Sequence, residues 1–477
     1  MQKKYRRKDF LKILMLSNFS LLSKPYNFFT AAKPKALTSP VSNENVVYYK
    51  KGDPEYETLR KGFNKRIEKF PLIISLCKNT TGVAEAIKYA IQNNLPVTVK
   101  SGGHCMEGFS VNNDGMVINL SVLNKVEWIN SEVINAEPGC TLSNLYDTIL
   151  PKGRIIPGGS CGGVGIGGLT LGGGYGLLSR KYGLTCDSLL EVTMVDGSGT
   201  IRNSKDDPAL LWACKGGGNG NFGVVTSLQF KTHKAPIALQ SFRFKTHNAD
   251  TQKARIILQK WFEAIPTLPP SCFSAFVLNR KTVYILLTNT EKNNAEVQQV
   301  IDTLSALSEK TTNTKAQAIS SALKVFYGRP LPLYFKNASA GLYKNFNDIE
   351  ACIDKVIDIV IATPGMIYQV NSLGGNIQNA GSEKLSAFPH RSFPYFSELQ
   401  TYWDNEKQAP RLLEKFQQLQ HIFSDNGITT QYRNYPDINF KNWESLYYGD
   451  NYKRLQQIKN KYDPHNLFRN EQSIRNQ

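Results

Sequence analysis

Two loops carry nucleophiles in settings where no core could form. One is Lys100-Ser101-Gly102-Gly103-His104, with Cys105 beside the histidine. The other is Gly158-Gly159-Ser160-Cys161-Gly162-Gly163-Val164-Gly165, which runs on into the glycine-dense stretch from Gly167 to Gly176. An imidazole and a thiol can each attack carbon, and glycine around them lets backbone press against a ligand because no Cβ intervenes. The pair points to one large ligand held at two places. Metal chemistry has no comparable signal: the eight cysteines and six histidines show no C-x-x-C pair and no ligand-like spacing.

Alternating strand and helix patterns position these loops. Val83, Ala86, Ile87, Ala90 and Ile91 recur at helical spacing behind a cap at Thr81 or Gly82, and Asn93-Asn94 ends the helix. Leu95 to Lys100 then reads as the strand that delivers the His104 loop. Met116 to Leu120, Lys125 to Ile129 and Val133 to Glu137 read as further strands, and Thr141 as the cap of a helix from Leu142 to Leu150. Asp196-Gly197-Ser198-Gly199 between two apolar runs marks a hairpin, and Val224 to Phe230 is the last strand before the pattern changes. From about residue 236 strand-like runs alternate with helix-like ones, as in an α+β unit with an antiparallel sheet. Gly163 to Gly168 satisfies G-x-G-x-x-G, but Gly172-Gly173-Gly174 would cost about 1 kcal/mol per glycine in the helix a dinucleotide fold requires there, so that reading is rejected.

The chain has 477 residues and a formal charge of +18, with 41% hydrophobic and 11% aromatic residues. Its lysines are scattered rather than clustered beside stacking aromatics, which argues against a nucleic-acid partner. No apolar run is long enough for stable membrane insertion. The N-terminus, Arg6-Arg7-Lys8-Asp9-Phe10-Leu11-Lys12 ahead of a modest apolar stretch, resembles a twin-arginine export signal with a lysine in place of the second arginine, and Thr30-Ala31-Ala32 is the candidate cleavage site. An exported protein is therefore expected.

The two nucleophile loops, the segment Leu211 to Val225 and the tail from Tyr447 to Ile474 together resemble the berberine-bridge-enzyme-like flavin oxidoreductases of the vanillyl-alcohol-oxidase superfamily. The resemblance implies a two-domain α+β flavin oxidoreductase: residues 1–44 a signal or linker, 45–235 the FAD-binding domain, 236–436 the substrate domain, and 437–477 a return to the first. It implies FAD joined covalently from His104 to the ring 8α-methyl and from Cys161 to ring carbon C6. The expected cofactor contacts are Ser101, Gly102, Gly103, Cys105, Ser110, Gly165, Gly168, Gly172, Gly173, Gly176, Gly223, Val225 and Asn451. Backbone N–H groups from Ser101 onward form the nest for the pyrophosphate, while Cys105 turns away from the ring.

The segment Tyr432-Arg433-Asn434-Tyr435-Pro436-Asp437 matches the family's Y-x-N-Y-x-D, which implies Tyr435 as the base. A phenol with an ordinary pKa of about 10 is a weak base, so a nearby Lys, Arg or the flavin must stabilise its anion. Alternation along Phe396 to Tyr402 puts Glu398, Gln400 and Tyr402 on one face, and Glu398 is the candidate auxiliary base. The reaction implied is oxidation of an alcohol carbon, most readily of a sugar or oligosaccharide, with oxygen or another electron acceptor. Secondary-metabolite alcohols and an idle flavoprotein are the alternatives.

Overall fold

The computed structural model describes residues 40–477 apart from Arg329, Pro330, Ala380 and Glu383. The twin-arginine-like segment and Thr30-Ala31-Ala32 lie outside the described residues.

Asn79, rather than Thr81 or Gly82, caps the first long helix. Its side chain accepts from the Gly82 N–H, one of the donors that a helix start leaves unpaired, and Thr80–Gln92 follows. The helix buries Val83, Ala86, Ile87 and Ala90 against the first sheet. That sheet holds β1 (Val46–Tyr49), β2 (Ile73–Cys77), β3 (Val97–Lys100) and β4 (Met116–Asn119) in the order β1-β2-β4-β3. Both β2 and β3 run parallel to β4 while β1 is antiparallel to β2, so the chain leaves β3 at Lys100 and enters the Ser101–Cys105 loop at the C-terminal end of the three parallel strands.

The second sheet combines β5 (Val126–Trp128), β6 (Val133–Ala136), β8 (Leu189–Asp196), β9 (Ile201–Asn203) and β10 (Gly223–Lys231) in the order β5-β6-β10-β8-β9, while β7 (Arg154–Ile155) pairs with β11 (His233–Lys234). The Asp196 hairpin joins β8 to β9 as its sequence requires: Gly199 takes φ +81°, and the Asp196 carboxylate accepts from the N–H groups of Ser198 and Thr200.

The third sheet is antiparallel throughout. It contains β12 (Ala238–Thr246), β13 (Cys272–Asn279), β14 (Thr282–Asn289), β15 (Lys310–Asn313), β16 (Gln317–Ala318), β17 (Tyr334–Tyr343), β18 (Met366–Ser372) and β19 (Tyr395–Trp403). Helices Thr251–Ala264, Ile353–Ala362 and Ala409–Asp425 cover one face, where Trp261, Ile357, Phe416 and Phe423 pack on Phe276, Tyr368 and Leu399. The strand period of two then turns Glu398 and Gln400 to the opposite face, where Gln369, Asn371 and Asn337 bond to them. After the third sheet, the helix Tyr452–Tyr462 buries Leu455, Ile458 and Tyr462 in one cluster with Leu210, Trp212 and Ala213. Buried Lys459 ties this tail to the Asn221 carbonyl, the Asp463 carboxylate and the Phe468 carbonyl. The eight cysteines carry no disulfide, and among the described residues no His, Cys, Asp and Glu group could hold a metal and no helix is long and apolar enough to cross a membrane.

Candidate active site

Both nucleophile loops open on one cavity of about 660 Å³. They meet because glycines let their backbones touch: a Cβ on Gly102 would lie 2.8 Å from the Gly165 Cα, and one on Gly163 would lie 3.2 Å from the His104 Nε2. His104 stacks on Phe63, with ring centroids 4.4 Å apart and planes inclined by 14°. Phe63 is itself fixed by its N–H, which donates to the Gly103 carbonyl at 2.9 Å. Burial lowers the His104 pKa to about 4, opposed by a hydrogen bond to the Gly163 backbone, so the imidazole stays neutral and nucleophilic at ordinary pH. Cys161 is open to the cavity, although the enclosing walls and then the Glu398 carboxylate hold its thiol above the ordinary value.

Ser101, Gly102, Gly103, Cys105, Ser110, Gly165, Gly168, Gly223 and Val225 also line the cavity. The Cys105 sulfur accepts from the Phe109 N–H at 3.3 Å. Gly172, Gly173, Gly176 and Asn451 stand outside the wall. Their reason is packing, since a Cβ at Gly172 would strike the Asn434 side chain and one at Gly176 the Gly158 carbonyl, and Gly173 needs φ +113°. Asn451 is turned to the Ala387 carbonyl, 3.2 Å from its Nδ2.

The segment from Tyr432 to Tyr435 is stitched to the glycine-dense stretch. The Tyr432 hydroxyl accepts from the Gly174 N–H at 2.9 Å, and the Asn434 Nδ2 donates to the Leu169 carbonyl at 3.0 Å. The Tyr435 carbonyl accepts from the Ser339 N–H on β17 at 2.8 Å. These bonds hold the Tyr435 side chain in the cavity wall. Burial raises its hydroxyl pKa well above the ordinary value, and the Glu398 and Cys161 charges raise it further.

Among the described residues, neither Arg433 nor Lys336 is bonded to the Tyr435 hydroxyl. Arg433 turns its Nε to the Tyr448 hydroxyl at 3.0 Å. Lys336 is buried between Glu107 at 2.6 Å and Asp437 at 2.7 Å, with Arg66 on the far oxygen of Glu107. Tyr175 stands beside Tyr435 in the cavity wall, with ring centroids 6.0 Å apart.

Glu398 lies behind the wall, only 3% exposed, and is not among the residues that line the cavity. Its Oε2 accepts from the Asn337 Nδ2 at 2.9 Å and its Oε1 from the Asn371 Nδ2 at 3.2 Å. Burial raises its pKa while these amides, Gln400 and Tyr175 pull the other way. Sequence reading missed Tyr175, Asn337 and Phe63. Tyr175 had a signal, as the aromatic set within the glycine-dense run; the other two had none.

The wall fits FAD. Two glycine loops approach with no side chains between them, and the Oγ1 of Thr98, the Oδ1 of Asn219 and the Oδ1 of Asn337 are buried in wall residues with no hydrogen-bond partner. Such atoms ask for a polar ligand. Ser101–Cys105 and Gly165–Gly168 are the segments that would hold it.

Comparison with known proteins supports this fit. A family model described as "FAD binding domain" matches residues 71–205, and one described as "Berberine and berberine like" matches residues 431–475. The uncharacterized FAD-linked oxidoreductase YgaK of Bacillus subtilis is 31% identical over 437 residues, covering 88% of this chain and 95% of the relative. Aclacinomycin-N/aclacinomycin-A oxidase of Streptomyces galilaeus is 28% identical, covering 93% of each chain. The solved structure of a chitooligosaccharide oxidase superposes with a TM-score of 0.82 at 23% identity, covering 91% of this chain and 97% of that one, a likeness of fold.

Proposed function

Because the chain belongs to the berberine-bridge-enzyme-like FAD-linked oxidoreductases, we propose that its site oxidises an alcohol carbon, with FAD tethered through His104 and Cys161 and Tyr435 meeting the substrate hydroxyl. The observation that carries this reading is that an uncharged imidazole, an accessible thiol and the Tyr435 phenol share one cavity wall. Bound FAD supplies the hydride acceptor, nitrogen N5. The chain's residues supply the rest: Tyr435 takes the hydroxyl proton, the loops at Gly102 and Gly165 hold the cofactor, and the buried Glu398 network sets the charge behind the base.

A sugar or oligosaccharide is the leading substrate class. The wall offers the rings of Tyr334, Phe335, Tyr402 and Trp403 to a sugar face. The same rings suit an aromatic alcohol, and the aclacinomycin oxidase likeness makes secondary-metabolite alcohols the second class. Oxygen is the acceptor proposed for the reduced cofactor.

The test is an anaerobic screen of glucose, xylobiose, chitobiose and benzyl alcohol for bleaching of the flavin absorbance, followed by readmission of air to time reoxidation. Tyr435→Phe should slow reduction by about 10²-fold or more. Bleaching by none of the probes, or reduction of the variant at the wild-type rate, rejects the reading. Mass spectrometry of tryptic peptides should find flavin on both His104 and Cys161; two unmodified peptides would reject the tethers.

A further inference from the structure

We propose that Tyr327 and Gly328, carried in from the third sheet, position Cys161 for its bond to the flavin, so that the second tether depends on a segment outside the cofactor loops. This rests on the reading that Cys161 carries flavin.

The peptide unit between Cys161 and Gly162 is held at both of its polar ends. The Cys161 carbonyl accepts from the Val164 N–H at 3.2 Å, which closes a turn, and the Gly162 N–H donates to the Tyr327 carbonyl at 3.2 Å. The first bond is local to the loop; the second comes from a distant segment. On its far side the Gly162 carbonyl accepts from the Ser143 N–H at 2.9 Å, at the start of the helix Leu142–Ile149. A peptide unit is planar and stiff. With its orientation fixed, the sulfur is aimed by rotations within Cys161 alone.

Two glycines set how closely the segments meet. A Cβ on Gly162 would lie 2.6 Å from the Cδ2 of the Tyr327 ring, so that ring fills the space any larger residue would need. A Cβ on Gly328 would lie 3.4 Å from the Cys161 Sγ, and Gly328 takes φ +75°, which glycine adopts without strain. Gly328 thus brings backbone, and no side chain, against the sulfur. Both Gly328 and Cys161 belong to the cavity wall.

The third sheet places Tyr327. β16 pairs with β12, and the helix Ile319–Lys324 begins directly after β16 with the Ile319 N–H donating to the Ile237 carbonyl at 3.2 Å. Ile319, Ala322 and Leu323 bury in one cluster with Leu142 and Tyr146, and Phe326 and Tyr327 pack against it. The Cys161 turn therefore lies between the start of one helix and the chain leaving another.

The chemistry of the bond makes aim decisive. Joining Cys161 to ring carbon C6 puts sulfur in place of hydrogen: the S–H and C6–H bonds break, the S–C6 bond forms, and the two electrons and two protons released reduce oxygen to hydrogen peroxide. The attacking form of a cysteine is its thiolate. Burial, and then the Glu398 carboxylate, hold the Cys161 thiol above its ordinary pKa, so thiolate is scarce. The rate then depends on how well the few thiolates are directed, and a misplacement of about 1 Å can cost about 10²-fold.

The test reads flavin on the tryptic Cys161 and His104 peptides of the full-length protein by mass spectrometry. Tyr327→Ala withdraws the ring, and Gly162→Ala drives a methyl into it. Each should leave the greater part of the Cys161 peptide unmodified while the His104 peptide keeps its flavin. In the double variant the methyl takes the place of the ring, so more flavin should be found on Cys161 than in Gly162→Ala alone. Tyr327→Phe keeps the ring and should match wild type. In a His104→Ala background the same losses should appear as flavin released by acid precipitation. Cys161 as fully modified in Tyr327→Ala and Gly162→Ala as in wild type would overturn the proposal. So would a double variant no better than Gly162→Ala, or equal losses from both peptides, which general unfolding would give. If wild-type Cys161 itself carries no flavin, the reading beneath the proposal falls; if it does and the variants are unchanged, only the positioning role falls.

Discussion

Phe63 lies face to face with His104, the two ring centroids 4.4 Å apart. A ring stacked at that distance contributes about 0.5–1.5 kcal/mol beyond its area burial, and here it also fixes the plane of the imidazole that we assign to the flavin. Phe63→Ala should therefore lower the fraction of His104 peptide that carries flavin while leaving the Cys161 peptide modified. Phe63→Tyr should restore it. Peptide mass spectrometry reads both, and an undiminished His104 adduct in the alanine variant would show that the stack has no part in attachment.

Lys336 joins three pieces of the site. Glu107 follows the His104 loop, Asp437 follows Tyr435, and Lys336 precedes Asn337 on β17; all three side chains are at most 4% exposed. Removing one partner of a buried pair costs about 3–5 kcal/mol, because an uncompensated charge is left behind. Lys336→Met should lose that much in denaturant unfolding. A loss under about 0.5 kcal/mol would mean that water or Arg66 already satisfies both carboxylates.

Much of this site was legible in the chain because its key groups sit in local patterns. Glycine around His104 and Cys161 marked the two loops, and period-two alternation put Glu398 and Gln400 on the face away from the helices. The rest depends on contacts between distant segments. The Tyr432 hydroxyl meets the Gly174 N–H across 258 positions, and that bond helps bring Tyr435 beside Tyr175. Alternation could not tell that Asn337 on the neighbouring strand would stand between Glu398 and the cavity. Nor could the nearness of Arg433 in sequence show that its guanidinium turns to Tyr448. Glycine was the most ambiguous signal, since close backbone packing and room for a ligand select the same residue.

Gly102 and Gly168 separate those two uses of glycine. A Cβ on Gly102 would lie 2.8 Å from the Gly165 Cα, whereas one on Gly168 would meet nothing within 4 Å although the residue lines the cavity. Gly168 also stands in the short helix Ile166–Leu171, where alanine is favoured over glycine by about 1 kcal/mol. Gly168→Ala should thus raise the melting temperature of flavin-free protein and lower its flavin content, read as the ratio of flavin to protein absorbance. Gly102→Ala should lower both. Unchanged flavin content in Gly168→Ala would show that the cofactor does not approach that position.

His390 makes stability depend on pH from a place remote from the chemistry. Its ring is buried, its Nε2 lies 2.9 Å from the Leu446 carbonyl, and burial, opposed by backbone hydrogen bonds, lowers its pKa to about 4. In the unfolded chain the value is about 6.5. Between those two values the unfolded state binds a proton that the folded state does not, so the group adds a slope of up to about 1.4 kcal/mol per pH unit, with stability rising as pH rises. Above about pH 6.5 it adds no slope. His390→Gln keeps a donor for the Leu446 carbonyl and removes the titration. Guanidinium unfolding should find the variant's stability flatter by up to that slope between about pH 4 and about pH 6.5, and parallel to wild type above. Identical pH profiles for the two proteins would mean that His390 takes up its proton in the folded state as readily as in the unfolded one.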